Sequence, residues 1–230
     1  MRVRVKVCCI ASRDEADMAV EAGADALGLV GQMPSGPGVL EDATVAGIAA
    51  HIPPPVAGVL LTSRERGRDI ADHVRQVGVS VVQVVREIDP AEAEVLARLA
   101  PTLRRIQVLH VEDAGVLERM ASYAAHVHAF LLDSGRPGLA VAELGGTGRA
   151  HDWSISAAFV AKSPRPVFLA GGLNPGNVAQ AIRQVRPFGV DVCTGVRCDG
   201  ELDSVRLGAF LAAVRGALQD GAPPGPSIAD

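Results

Sequence analysis

Residues 165–196 read RPVFLAGGLNPGNVAQAIRQVRPFGVDVCTGV. An apolar run, RPVFLA (165–170), stops at Gly171-Gly172. A stretch with helical periodicity follows, NPGNVAQAIRQV (174–185), in which Asn174 suits an N-cap and Pro175 a first helical turn. A second apolar run, GVDVC (189–193), ends at Thr194-Gly195-Val196. Strand, glycine turn, helix and strand make a βαβ unit, which lays its two strands parallel.

The same grammar runs outward through the chain. Further strand candidates are VRVKVCCI (3–10), DALGLV (25–30), VAGVLLT (56–62), VSVVQVV (79–85), RRIQVLHV (104–111) and VHAFLLD (127–133). Helical stretches lie at 13–24, 41–52, 90–100, 112–125 and 203–218, and another helix starts near Asp152 or Trp153. Eight strands alternating with helices predict a parallel sheet. At 230 residues, the length fits a closed eight-stranded (β/α)8 TIM barrel, whose usual size is about 250 residues. A doubly wound open sheet is the alternative. No shift in composition marks an internal boundary, so residues 1–220 read as a single barrel domain. GAPPGPSIAD (221–230) reads as a flexible C-terminal tail.

Composition narrows the function. Apolar residues make up 48% of the chain and aromatics only 3%, so the core must be built from Val, Leu, Ile and Ala. A net charge of −4 argues against a nucleic-acid partner. No uncharged apolar run reaches the roughly 18 residues of a membrane span. MRVRVKVCCI at the start is too charged for a signal peptide, so the expected location is the cytoplasm. Neither a monomer nor a homodimer is excluded. Four cysteines, Cys8, Cys9, Cys193 and Cys198, show no CxxC spacing. Alternation along a strand would send Cys8 and Cys9 to opposite faces.

In such a barrel the chemistry sits where strands end. The first strand ends at Cys8 and Cys9, the sixth at Asp133. A thiol and a carboxylate across a barrel mouth can act as a base and acid pair. Each also has a plain structural reading, as a buried thiol or a turn aspartate. The long segment after the sixth strand holds Gly145-Gly146-Thr147-Gly148, a flexible run offering backbone N–H groups to a ligand. Gly171-Gly172 and Thr194-Gly195 follow strands seven and eight, where many barrels hold a phosphate. Simple tight turns are the alternative. If Cys8 points inward, Lys6 does too, and a supporting Lys6–Asp191 pair inside the barrel is expected. Cys8 and Cys193 are also candidates to lie close together. With a histidine they would make a metal site, but their spacing is not diagnostic.

Taken in order, these motifs resemble the phosphoribosylanthranilate isomerase family of tryptophan biosynthesis, from about residue 3 to 217. The matching segments are Lys6-Val7-Cys8, Ala22-Gly23-Ala24-Asp25-Ala26-Leu27-Gly28 and Leu131-Leu132-Asp133. They continue with Gly145-Gly146-Thr147-Gly148 and Asp152-Trp153, then Leu169–Pro175, then Gly189-Val190-Asp191-Val192 with Gly195-Val196. The resemblance implies an aldose–ketose isomerase acting on a phosphosugar amine by an Amadori rearrangement. Asp133 would be its general acid, Cys8 its general base, and the Gly171–Gly172 and Thr194–Gly195 amides its phosphate grip. No cofactor is implied, since proton transfers alone drive this isomerisation.

The resemblance breaks on the side that would recognise the amine. The family carries an arginine after the second strand that holds the anthranilate carboxylate. Here the segment is Pro34-Ser35-Gly36-Pro37-Gly38-Val39. Arg64, Arg86, Arg136 and Arg149 are candidate replacements. Cys9 stands where the family has glycine. Arg86, His151 and Arg197 are added charged or titratable groups near the mouth. These departures leave open a related enzyme for another phosphosugar amine, possible in a specialised pathway, and a non-catalytic phosphosugar-binding protein.

Overall fold

The computed structural model describes residues 2–34, 36–135 and 151–217. Eight parallel strands close into one barrel. They are β1 (Arg4–Val7), β2 (Ala26–Val30), β3 (Ala57–Thr62), β4 (Val81–Val84), β5 (Arg104–His110), β6 (Ala129–Asp133), β7 (Val167–Leu169) and β8 (Gly189–Val192). The helices are α1 (Arg13–Ala22), α2 (Asp42–Ala49), α3 (Gly67–Val77), α4 (Pro90–Leu99), α5 (Val116–Ala124), α6 (Trp153–Lys162), α7 (Val178–Val185) and α8 (Ser204–Gly216). Closure runs through β1 beside β8, with Lys6 in register with Asp191. The open-sheet alternative is thereby set aside.

Strand alternation divides the core into two layers. Val5, Val7, Leu27, Leu29, Leu60, Phe130 and Leu169 pack outward against the helices. Val59, Leu61, Val85, Ile106, Val108, Leu131 and Ala170 fill the barrel.

Two sequence expectations need correction. Helix α3 is absent from the helical stretches read from sequence. Its charges Arg68, Asp69, Asp72 and Arg75 interrupt the apolar signal, yet Ile70, Val74 and Val77 form one buried stripe. Gly78, at φ +73°, ends it in the left-handed conformation glycine accepts at little cost. The second correction concerns α7, which starts at Val178, four residues later than its pattern suggested. Asn174 is not its N-cap. Instead Asn174 Oδ1 accepts from the Gly176 amide at 2.9 Å, and the Asn177 side chain accepts from the Asn174 amide at 2.8 Å. Together they fold residues 174–177 into a turn ahead of the helix. The tail expected at 221–230 lies outside the described residues.

Candidate active site

A cavity opens at the C-terminal ends of the strands and is lined by Cys8, Asp133, Asp191, Gly171, Gly172 and Thr194, among others. The expected thiol and carboxylate therefore face one space. Lys6 lies fully buried beneath it, its Nζ 2.8 Å from Asp191 Oδ1. Burial alone would pull its ammonium down, but the Asp191 carboxylate and the Cys8 sulfur outweigh that and hold it protonated, above the ordinary lysine value. Room for this cluster comes from Gly28. A Cβ there would sit 2.8 Å from Cys8 Sγ and 3.0 Å from Lys6 Nζ.

Cys8 is more acidic than an ordinary thiol. The Cys9 thiol donates to its sulfur, and the Lys6 cation favours the thiolate against the opposing cost of burial. Sequence alternation placed Cys9 on the opposite face, but Cys9 also lines the cavity. Alternation holds only within a strand, and β1 ends at Val7. Beyond it Cys9 adopts φ +64°, which turns its side chain back toward the mouth. It is a conformation that glycine adopts at little cost. The sulfur contact expected for Cys8 and Cys193 falls to Cys9 instead, whose Sγ lies 2.6 Å from Cys193 Sγ. Among the described residues, no group of three His, Cys, Asp or Glu side chains is placed to hold a metal ion.

Asp133 ends β6 and is 9% exposed. Burial pushes its carboxyl up to about 6, with the Asp191 charge adding to the rise. The Ser134 amide, donating to Oδ1 at 2.7 Å, partly opposes that shift. The result is a carboxylic acid that stays protonated well above the usual aspartate range.

The turns after β7 and β8 meet. Gly171 takes φ +83° and Gly172 φ +65°, so neither position suits a residue with a side chain. A Cβ on Gly195 would fall 2.0 Å from the Leu173 carbonyl oxygen. Gly195 is thus the contact surface between the two turns, while Gly171, Gly172 and Thr194 reach the cavity. Gly145, Gly146, Thr147 and Gly148 lie outside the described residues, as do Ser35, Arg136 and Arg149.

Across the cavity the wall is apolar: Val30, Met33, Pro37, Leu61 and Val85. Gln83 interrupts it, 4% exposed, with a side-chain oxygen that has no hydrogen-bond partner among the described residues. In the sequence this residue is only part of the apolar run 79–85. Its inward place on a central strand was the available signal. Neither Arg64 nor Arg86 lines the cavity. Arg64 donates to the Asp69 carbonyl at 3.2 Å, and Arg86 pairs with Glu65 at 3.2 Å.

The other added groups are structural too. Arg197 is buried, reaching Glu15 at 2.8 and 3.0 Å and the Cys9 carbonyl. It clamps the end of β1 to α1. Glu15, whose own amide is capped by Ser12, also accepts from the Ala11 and Leu202 amides. His151 holds the Ser156 hydroxyl at 2.6 Å, and burial pushes its imidazole down to about 4. It is therefore uncharged at neutral pH. No helix among the described residues is long and apolar enough to cross a membrane.

Comparison with known proteins agrees with this geometry. The family model for N-(5'phosphoribosyl)anthranilate (PRA) isomerase matches residues 5–213. N-(5'-phosphoribosyl)anthranilate isomerase 2 of Methanosarcina mazei is 37% identical, over 91% of this chain and 92% of its own length. The Halobacterium salinarum enzyme is 38% identical over 91% of this chain and 94% of its own. Among solved structures, phosphoribosyl anthranilate isomerase from Thermotoga maritima superposes with a TM-score of 0.79 at 32% identity, covering 93% of this chain and 99% of that one. A phosphoribosyl anthranilate isomerase in complex with reduced 1-(o-carboxyphenylamino)-1-deoxyribulose 5-phosphate gives 0.76 at 30% identity, with the same coverage.

Proposed function

The chain belongs to the N-(5'-phosphoribosyl)anthranilate isomerase family, and from that premise we propose that Cys8 and Asp133 carry out the isomerisation as general base and general acid. Asp133 donates its proton to the ribose ring oxygen, and the ring opens to a Schiff base. The Cys8 thiolate removes the C2 proton. The enaminol that results tautomerises to the 1-amino-1-deoxyribulose phosphate. Each step is a proton transfer between the substrate and a positioned side chain.

One observation carries this reading: a thiol more acidic than usual and a carboxyl that keeps its proton up to about pH 6 line the same cavity. Ordinary environments would give a less acidic thiol and a more acidic carboxyl. The phosphate would rest on amides at Gly171–Gly172 and Thr194, a remote grip that orients the sugar. Lys6 and Asp191 act through Cys8 rather than on the substrate. The apolar wall of Met33, Leu61 and Val85 suits an aromatic ring. Gly145, Gly146, Thr147 and Gly148 would supply backbone N–H groups to the substrate.

A second reading rests on the cavity lining among the described residues, which includes no arginine. A phosphosugar amine without a carboxylate would suit such a wall. Under the first reading, Arg136 or Arg149 supplies the carboxylate contact.

The test is the loss of fluorescence of freshly prepared phosphoribosylanthranilate. Turnover should fall by about 10²–10⁴ in both Cys8→Ala and Asp133→Asn. Wild-type protein that binds inorganic phosphate but leaves this substrate unchanged would favour the second reading. Undiminished turnover in either variant would remove that residue from the proposed pair.

A further inference from the structure

Neither Cys9 nor Cys193 exchanges a proton with the substrate in the proposed isomerisation, yet both line the cavity and their sulfurs are 2.6 Å apart. They join the residues just past β1 to those just past β8, across the seam where the barrel closes. Cys9 keeps its side chain in a left-handed backbone conformation, at φ +64°. Side-chain-bearing residues disfavour that conformation, so the thiol is held there against a local preference. Cys193 is only partly buried and opens on the cavity, within reach of a small solute. Cys9 is buried behind it.

We propose that Cys9 and Cys193 form an oxidisable pair, which a hydroperoxide converts into a disulfide that shuts down the site. The Cys193 sulfur attacks the peroxide O–O bond, and its proton goes to the departing oxygen. Cys193 becomes a sulfenic acid, and an alcohol, or water from hydrogen peroxide, leaves. The Cys9 sulfur then displaces hydroxide from the Cys193 sulfur and loses its proton, forming the S–S bond and one water. Two thiols are oxidised and one peroxide is reduced. A thiol reductant reverses the change.

The consequence follows from what Cys9 does when reduced. Its S–H donates to the Cys8 sulfur and favours the Cys8 thiolate. A disulfide has no such proton to donate. Cys9 also packs beneath the loop after β2, since a Cβ on Gly38 would meet Cys9 Cβ at 2.8 Å. Cross-linking thus withdraws support from the base and ties the mouth loop to β8. The cross-link itself does not depend on the proposed catalytic roles, whereas its effect on turnover does.

The experiment exposes reduced wild-type protein to hydrogen peroxide, blocks free thiols with N-ethylmaleimide and maps the peptides by tandem mass spectrometry. The expected product joins Cys9 to Cys193, with Cys8 and Cys198 alkylated. Turnover should drop about tenfold, as the Cys8 thiolate fraction falls, and return with dithiothreitol. Cys193→Ser should form no such cross-link and keep its own untreated rate through the same exposure. A cross-link or oxidised sulfur centred on Cys8, no cross-link at all, or equal inactivation of Cys193→Ser would overturn the proposal. Because the cross-link is read by mass, a failed catalytic assignment would not be mistaken for a failed thiol pair.

Discussion

The two sides of the cavity are built on opposite rules. Along β1, β6 and β8 the wall is polar and its groups are mutually dependent: Lys6 holds Asp191, Cys9 and Lys6 acidify Cys8, and Arg197 clamps the strand beneath. Along β2 to β4 it is apolar, and Gln83 stands as an amide whose oxygen has no partner among the described residues. A change on the first side should travel through charges. On the second it should stay local. The difference fits a division of labour in which proton transfer requires a fixed electrostatic setting and an aromatic group requires only shape.

The largest break in that contrast beyond the catalytic pair should come from Asp191→Asn. It leaves Lys6 as a buried cation without its carboxylate, and losing one partner of a buried pair costs about 3–5 kcal/mol. Urea unfolding should show the loss. A change under about 1 kcal/mol would mean that Lys6 finds another partner or sheds its proton.

Gly195→Ala should come next. Its methyl would collide with the Leu173 carbonyl and separate the two turns. The expected result is a rise in KM on the order of tenfold or more, because small misplacements of bound substrate are costly. Steady-state kinetics and inorganic phosphate inhibition would both report it.

Asp133→Asn should stabilise the protein while removing activity. The Asp133 carboxyl titrates near 6 in the fold, against an unfolded value near ~3.9. A raised carboxyl favours the folded state while it is protonated. That advantage fades as pH rises through about 6, leaving a buried charge at neutral pH. Asparagine carries no such charge, so a gain of about 2 kcal/mol at pH 8 is expected, shrinking toward pH 4. Equal gains at both pH values would show that the Asp133 charge is not responsible. In wild type, kcat/KM should likewise decline above about 6 as the acid loses its proton.

The smallest effects belong to Arg64→Ala and Arg86→Ala. Arg64 holds the Asp69 carbonyl and Arg86 the exposed Glu65, so stability should move by less than about 0.5 kcal/mol and KM by less than about threefold. A much larger rise in KM for either would identify it as the carboxylate anchor.

The polar side was also the more legible in sequence. Cys8, Asp133 and the Gly171–Gly172 turn end strands, and a strand end is a local feature that periodicity reveals. The Lys6–Asp191 pair followed from alternation plus closure of the barrel. Closure itself hid the rest. Arg197 and Glu15 are 182 positions apart, and nothing local links them. Cys9 was misplaced because alternation was extended past the end of β1 into a residue with positive φ. Gly28 looked like part of a motif, whereas its role is to leave space for Cys8 and Lys6. Helix α3 was hidden by its own charges, although its buried stripe was present in the spacing.

A crystal structure with reduced carboxyphenylamino-deoxyribulose phosphate bound would test the central claim most directly. The account predicts phosphate oxygens on the Gly171–Gly172 and Thr194 amides, with the sugar C2 about 3–3.5 Å from Cys8 Sγ. It also predicts an Asp133 oxygen facing the opposite side of the sugar chain. A ligand seated with its phosphate elsewhere, or with C2 out of reach of Cys8, would contradict it.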